Sequence, residues 1–479
     1  MKKKLVVTMV ALFILAFSFS IAPKKANAIP AFAQKYHFSC AVCHTVFPNL
    51  NPFGRAFWRN GFRLPGTNGT PSDATQITEG LSLPNPWPIP VMVEPIISYQ
   101  HTTNENVSPA TDAFGASVDV VDAGAFKLYT PLADSISFYI HYGFAAGANL
   151  HGKQIFASIN GLGSGLGVAP HLFNLKLGQV TTASPYFYRQ APFYLSSSPS
   201  GVVTSVPTVN GQGLNVGYDT EGGVLIHAKN AGFALYGTPG YHLWYKVTVT
   251  NDAGSVGSTA NPNSGVVSNA MEYSYQLKEY APIPMGQLEF GYYGSTIAEP
   301  LTNTAGQSWT NRIMVNGVDV DLANDVYELG LTYMVQSDSN PYAPSNVTLA
   351  SVYTKNPNLV DNGIPTDTSN GYSEFEVYGR YLLPQIGNGL MLTADYATYS
   401  WTHKDSQEAY NGATTSCSNA NLYQTQSYIS NGCLTDGVKD SVTLLAEYNL
   451  AYNAHLYLEY VFTNNDQANT VGTGLDFAF

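Results

Sequence analysis

The sequence predicts an all-β protein: an antiparallel β-barrel of about 16 strands, of the type that crosses a bacterial outer membrane. Three observations lead to this fold class. Charged residues make up 11% of the 479-residue chain and aromatic residues 13%, whereas soluble domains usually carry about 25% charged residues. Apolar and polar residues alternate in runs of about ten residues, which is the periodicity of strands in such barrels. Short connections near residues 131–134, 237–240, 281–284, 323–324, 384–388 and 453 alternate with long polar ones such as 252–266, 298–308, 340–371 and 402–437.

Residues 1–28 have the features of a cleaved secretory signal peptide. Three lysines follow the first methionine, an apolar stretch covers residues 5–21, and residues 26–28 read Ala-Asn-Ala, a small-x-small cleavage pattern. The remaining chain carries 16 basic and 33 acidic residues, a net charge of −17. We therefore expect an exported protein that has no nucleic-acid partner.

Residues 40–44 read Cys-Ala-Val-Cys-His, which is the attachment pattern of a c-type haem. Two thiols three positions apart reach the two vinyl groups of one porphyrin, and the adjacent imidazole reaches the iron. The motif predicts one haem c, bound covalently by Cys40 and Cys43, with His44 as the proximal iron ligand. The alternative interpretations are a redox dithiol and a chance match to the pattern.

The sixth ligand of the iron is open at this stage. A methionine ligand raises the reduction potential of a haem, and Met92 is the first candidate because it follows the haem motif closely. His37 and His101 are alternatives, as is a vacant sixth position.

The haem motif lies in a small cationic segment. Residues 29–64 contain four basic residues and no acid, and residues 65–479 carry a net charge of −21. Arg55, Arg59 and Arg63 are four residues apart and would share one face of a helix over residues 51–62. They are candidate partners of the haem propionates, or alternatively a solvated basic stripe.

The predicted domains are a signal peptide (1–28), a monohaem cytochrome c segment (29–88), mostly helical or irregular, and a porin-like barrel (89–479). The haem segment is too short to enclose its cofactor alone, so we expect it to plug the barrel lumen at the periplasmic mouth. Charged residues on the predicted lumen face support this expectation because most are acidic: Glu272, Lys278, Glu289, Glu328, Glu374, Glu376, Arg380, Asp395, Glu447 and Glu459.

Two features near the C-terminus complete this interpretation. The last nine residues have the alternating pattern of a strand and end in Phe479. This ending looks like the assembly signal of outer-membrane proteins. Cys417 and Cys433 lie in a polar stretch, and in an exported protein they are expected to form a loop disulfide.

The N-terminal motif resembles that of a known family. Residues 30–33 (Pro-Ala-Phe-Ala), 40–48 (Cys-Ala-Val-Cys-His-Thr-Val-Phe-Pro), 52–55 (Pro-Phe-Gly-Arg) and 60–62 (Asn-Gly-Phe) resemble the fused cytochrome–porins of iron-oxidising bacteria. The resemblance covers residues 30–62. It implies that the single haem accepts electrons from extracellular Fe(II) and passes them to a periplasmic cytochrome c or other electron carrier, in the outer membrane of a Gram-negative cell.

Other function classes remain open. The haem segment could be a structural or sensory plug in a diffusion porin. The protein could also conduct electrons from a donor other than iron, or outward as a reductase. We find no nucleophile–base constellation that would indicate a hydrolase.

Overall fold

The computed structural model describes about half of the N-terminal segment and most of the barrel wall. The described residues are 32, 36, 38–46, 49–64, 75–78, 81–83, 91–104, 108–128, 130–145, 151–183, 229–251, 271–302, 308–338, 360–361, 364–365, 370–401, 438–451, 454–463 and 468–477. The predicted signal peptide, His37, Cys417, Cys433 and the C-terminal Phe479 lie outside these residues. Within them, no helix is both long and apolar enough to cross a bilayer.

The N-terminal segment contains one α-helix and two small antiparallel strand pairs. A 3₁₀ turn at Cys40–Val42 leads into β1 (His44–Val46), β2 (Asn49–Leu50) and α1 (Pro52–Arg59), and β3 (Thr75–Thr78) and β4 (Leu81–Leu83) follow. Strand β1 pairs with β2, and β3 pairs with β4. Proline occupies the first turn of α1, where its missing N–H costs no hydrogen bond.

Sixteen antiparallel strands then close into a barrel, which confirms the predicted fold class and strand number. The strands are β5 (Met92–Asn104), β6 (Ser108–Lys127), β7 (Ser135–Ala145), β8 (His151–Asn160), β9 (Asn174–Thr181), β10 (Lys229–Gly237), β11 (Leu243–Asn251), β12 (Met271–Ile283), β13 (Gly286–Thr302), β14 (Ser308–Ala323), β15 (Tyr327–Asp338), β18 (Asn370–Leu383), β19 (Leu390–Trp401), β20 (Val438–Ala451), β21 (Ala454–Thr463) and β22 (Ala468–Phe477). A two-residue pair, β16 (Val360–Asp361) and β17 (Ile364–Pro365), lies between β15 and β18. Strand β22 pairs with β5 and closes the barrel.

The two faces of the wall differ in polarity as the alternation predicts. On β15, Leu329, Leu331 and Tyr333 point outward and are exposed, whereas Glu328 and Thr332 point into the lumen and are buried. All ten charged residues predicted on the lumen face are at most 3% exposed. The exterior is therefore apolar and the lumen wall is polar, as in outer-membrane barrels.

The connections at one end of the barrel are short; six of them lie at or next to the positions predicted from the sequence, and the one over residues 161–173 was not predicted. They comprise residues 128–134, 161–173, 238–242, 284–285, 324–326, 384–389 and 452–453. We call this end the short-turn end. At the other end, the long connection predicted over 298–308 is wrong, because β13 and β14 pair up to Thr302 and Ser308.

Helix α1 is shorter than the sequence predicts. It ends at Arg59 because Gly61 and Phe62 adopt left-handed backbone angles, with φ of 67° and 61°. The Phe62 N–H donates to the Phe57 carbonyl at 3.0 Å, which closes the helix C-terminus. The chain therefore reverses before Arg63, and this residue does not continue the helical row of Arg55 and Arg59.

Candidate functional site

The described residues from 32 to 64, which we call the plug, lie inside the barrel at its short-turn end. The plug contacts β8 and β9 on one side of the lumen and β13, β14 and β15 on the other. The wall residues at these contacts lie near the short turns: Asn160, Asn174, Glu289, Asp321 and Glu328. The plug therefore lies at the short-turn end of the lumen, and the assignment of this end to the periplasm stays a prediction.

Arg55 is the centre of the contact with β13–β15. Its side chain is fully buried. Its Nη1 lies 2.5 Å from Asp321 Oδ2 and 3.7 Å from Glu289 Oε1, and its Nη2 pairs with Glu328. Burial alone would lower the pKa of Arg55, but the charges of the three carboxylates outweigh it and raise this pKa well above its ordinary value. Arg55 is therefore a permanent cation in this site.

The carboxylates around Arg55 have further partners in the wall. Arg380 ion-pairs with Glu328, and the Tyr378 hydroxyl donates to Asp321 at 3.2 Å and also to Glu328. We call Arg55 with these five wall residues, Glu289, Asp321, Glu328, Tyr378 and Arg380, the arginine latch. Within the latch two guanidinium groups face three carboxylates, and the ion pairs of Arg55 tie the plug to the wall in a buried position.

Arg59, one turn further along α1, binds the same wall. Its two terminal nitrogens donate to both oxygens of Glu289 at 3.0 and 3.3 Å. Its guanidinium carbon also lies 4.8 Å from the ring centre of Tyr280 and 5.6 Å from that of Trp244. A bidentate ion pair combined with cation–π contacts is a strong anchor for a planar cation.

Arg63 points to a different part of the mouth. It donates to the Asn174 side chain at 2.7 Å and to the Pro170 carbonyl at 3.0 Å, and it lies 3.8 Å from Asp134. The three arginines thus bind wall groups in the structure. Their predicted pairing with haem propionates stays a prediction.

Aromatic side chains fill the space between the plug and β6–β8. Phe57 and Phe62 are buried and pack in one cluster with Tyr139 and Phe156 of the wall. The Trp58 ring lies edge-on to Tyr139 at 4.9 Å, and Phe62 stacks on Phe156 at 6.4 Å. Aromatic pairs of this kind contribute about 0.5–1.5 kcal/mol each beyond their area burial. Phe57 therefore belongs to the core of the plug.

The haem motif is fixed to the start of α1 by one asparagine. The Asn51 side chain accepts a hydrogen bond from the Gly54 N–H at 2.9 Å and donates to the Val42 carbonyl at 3.1 Å. The Asn51 N–H also donates to the Cys43 carbonyl at 2.9 Å. A Cβ at Gly54 would lie 2.2 Å from that carbonyl oxygen, so this position requires glycine. The sequence analysis missed Asn51, although an asparagine directly before Pro-Phe-Gly is a typical N-cap signal.

Comparison with known proteins bears on the barrel. No protein-family model and no curated protein matches the sequence. Among solved structures, the high-pH structure of OprB from Pseudomonas putida has a TM-score of 0.50 and 9% identity, covering 81% of this chain and 94% of that one. The anion-selective porin from Comamonas acidovorans has a TM-score of 0.48 and 8% identity, covering 81% and 99%. The Salmonella typhi OmpF complex with daunomycin has a TM-score of 0.47 and 12% identity, covering 81% and 97%.

The barrel is porin-like. At these identities the likeness concerns the fold alone.

The residues of the plug fit a covalently attached haem. Cys40 and Cys43 are half-buried free thiols next to His44, in a turn that presents them together. Burial raises the pKa of Cys40, and burial followed by the charge of Cys40 raises the pKa of Cys43 to about 11. Redox dithiols work through thiolates of lowered pKa; the attachment of a haem to these two thiols stays a prediction.

A buried amide next to the motif also favours a bound group. Asn49 is fully buried, and among the residues that the structure describes neither its side-chain nitrogen nor its side-chain oxygen has a hydrogen-bond partner. Buried amides are nearly always satisfied, and a polar substituent of a bound group would supply the missing partner. Among the described residues, no three His, Cys, Asp or Glu side chains form a group that could hold a metal ion.

The candidates for the distal iron ligand remain predictions. Met92 begins β5, is buried and packs against Val121. His101 lies further along β5, where its Nδ1 is 2.8 Å from Asp112.

Proposed function

We propose that this chain is an outer-membrane electron-transfer protein that takes electrons from extracellular Fe(II) through one haem c in its plug and delivers them to a periplasmic carrier. The observation that carries this proposal is the position of the Cys40–His44 motif: it lies on a plug clamped inside the lumen by buried ion pairs. The porin-like fold and the apolar exterior support the outer-membrane location. The identity of the donor rests on the resemblance to cytochrome–porins.

A single redox centre can serve both sides of a membrane only from a position within the barrel. The apolar band of such a barrel is about 25 Å tall. A haem on a free periplasmic domain would be out of tunnelling reach of an extracellular donor. A plug in the mouth shortens the distance to the lumen and remains open to a periplasmic carrier.

The chain's own residues hold and orient this centre. Cys40 and Cys43 would hold the haem through thioether bonds, and His44 would ligate its iron. When bound, the haem supplies one-electron transfer. Asn51 fixes the motif on α1, and Arg55 and Arg59 fix α1 on the wall. Each Fe²⁺ that becomes Fe³⁺ releases one electron, and the carrier accepts it.

The test is anaerobic mixing of purified holoprotein with Fe(II), at acid and at neutral pH, with the haem Soret and α bands recorded. The proposal predicts reduction of the haem at one or both pH values. A barrel that carries Cys40→Ala and Cys43→Ala is the control for absorbance changes unrelated to the haem. If Fe(II) reduces the haem of the holoprotein at neither pH, the proposed iron-oxidase function is wrong.

A diffusion porin is the second candidate, and the porin-like fold favours it. In this case the plug is structural or sensory, and solutes pass the lumen. Flux of small solutes into liposomes, together with no Fe(II)-driven haem reduction, would select this function. Haem reduction by other donors but not by Fe(II) would indicate an electron conduit with a different substrate.

A further inference from the structure

We propose that Lys176 of the barrel wall binds a propionate of the haem that the plug carries, so that the barrel completes the cofactor site. This inference rests on the haem of the proposed function and not on its electron donor. Lys176 lies on β9 and reaches the plug, because its Nζ is 5.7 Å from the ring centre of Trp58 on α1. The same Nζ is 4.0 Å from the ring centre of Phe156 and 5.5 Å from that of Tyr236.

The first argument is that Lys176 lacks an anionic partner. It is half-buried, and in the part of the chain that the structure describes its ammonium group contacts aromatic rings and no carboxylate. Two other lysines of the lumen wall have polar partners: Lys278 ion-pairs with Asp319 at 2.6 Å, and Lys246 donates to two backbone carbonyls at 3.0 and 2.8 Å. An ammonium group partly removed from water without a counter-ion is unfavourable, and cation–π contacts offset only part of this cost. The position therefore favours an anion.

The second argument is the place of Lys176 relative to the haem motif. Gly54 of α1 packs against Cys43, since a Cβ at Gly54 would lie 2.2 Å from the Cys43 carbonyl oxygen. Trp58 follows Gly54 by four residues, so it lies on the same face of α1, one turn or about 5.4 Å further along. Lys176 contacts the ring of Trp58 and is therefore displaced from the motif along the helix. In a haem held through its vinyl groups by Cys40 and Cys43, the propionates lie on the opposite edge of the macrocycle.

The third argument is that the arginines of α1 are already bound. Arg55 and Arg59 pair with buried wall carboxylates, so turning either guanidinium group to a propionate would leave a buried carboxylate without its cation. Lys176 can bind a propionate without breaking an ion pair that the structure shows. A cation at this position also disfavours the ferric state, which carries one more positive charge than the ferrous state. Lys176 would therefore raise the reduction potential of the haem.

The test is an anaerobic redox titration of the purified holoprotein in detergent, with dithionite as the reductant and the haem α band recorded. Lys176→Met keeps an unbranched side chain against the aromatic rings and removes the charge. At a fixed ambient potential it should lower the ferrous-to-ferric ratio about threefold to tenfold, which is a fall of roughly 30–60 mV for a one-electron centre. Lys176→Arg keeps the charge and should keep most of the ratio. The control, Lys246→Met, removes an equal charge from the lumen wall and should lower the ratio less.

Two results would overturn the proposal: an unchanged ratio in Lys176→Met, or an equal fall in Lys246→Met. A second measurement leaves Lys176 unsubstituted. Its modification by a small amine reagent, followed by mass spectrometry, should be severalfold slower in the holoprotein than in the haem-free Cys40→Ala, Cys43→Ala barrel. Lys127, at the end of β6, is the reference and should react at one rate in both proteins. Equal rates at Lys176 in the two proteins would contradict a bound propionate.

These measurements separate the propionate site from the proposed function. Neither uses Fe(II), so a haem that Fe(II) does not reduce still shows whether Lys176 binds its propionate. An unchanged ratio in Lys176→Met together with Fe(II)-driven reduction of the holoprotein would contradict the propionate site alone. A purified protein without covalent haem would contradict both.

Discussion

Replacing Arg55 by methionine should release the plug without unfolding the barrel. Arg55 is fully buried and ion-pairs with Asp321, whereas Glu289 keeps its ion pair with Arg59 and Glu328 keeps its ion pair with Arg380. The substitution therefore leaves one buried carboxylate with the Tyr378 hydroxyl in place of a cation. Removing one partner of a buried ion pair costs about 3–5 kcal/mol.

This cost sets the size of the measured effect. Since 1.4 kcal/mol corresponds to a factor of ten, the population of the undocked plug should rise by roughly two to four powers of ten. Amide hydrogen exchange over residues 49–64 measures whether the plug is docked. The heat-dependent electrophoretic mobility of the protein shows whether the barrel is folded. We expect faster exchange in the plug and an unchanged barrel.

A second substitution tests the cause of this effect. In the Arg55→Met background, Asp321→Asn removes the uncompensated charge and should restore part of the exchange protection. Unchanged protection in Arg55→Met would refute the view that the latch holds the plug. No recovery on adding Asp321→Asn would refute the electrostatic explanation.

Four further predictions concern the plug and the haem. Gly54→Ala places a Cβ against the Cys43 carbonyl oxygen, so overpacking should destabilise the motif by about 1–3 kcal/mol and lower the yield of covalently bound haem on denaturing gels. Phe57→Ala removes a buried ring from the cluster with the wall and should cost about 3–5 kcal/mol, measured as faster exchange in the plug. In haem-free protein, burial raises the pKa of Cys43 to about 11, so the neutral thiol is favoured at neutral pH. The alkylation rate of Cys43 should therefore keep rising from pH 8 towards pH 11. A rate that reaches a plateau below pH 9 would contradict the burial of this thiol. Met92→Ala should abolish the long-wavelength methionine–iron charge-transfer band if Met92 is the distal ligand, and persistence of a band seen in the unmodified protein would exclude it.

The barrel could be predicted from the sequence because its signal is local. Alternation with a period of two assigns each residue of β15 to a face, and the short turns mark where strands end. The connection predicted over residues 298–308 is wrong because Ala298, Glu299 and Pro300 read as a polar loop, yet they pair with β14. In long strands near a barrel rim, backbone pairing overrides residue preference.

The contacts of the plug could be predicted only in outline. The charge difference between residues 29–64 and the rest of the chain indicates that the two attract each other. It does not indicate that Arg55 binds Asp321 and Glu328, because this choice depends on the barrel register and on the end of α1 at Arg59. The same helix end separates Arg63 from the other two arginines. The even spacing of the three arginines in the sequence does not show this separation.

The most direct test of the central claim is electron transfer across a membrane. Liposomes containing the holoprotein and a trapped soluble cytochrome c receive Fe(II) from outside, under anaerobic conditions. The account predicts that the trapped cytochrome is reduced, and that the Cys40→Ala, Cys43→Ala barrel abolishes this reduction. No reduction with the holoprotein, or equal reduction with the haem-free barrel because Fe²⁺ itself passes the pore, would contradict it.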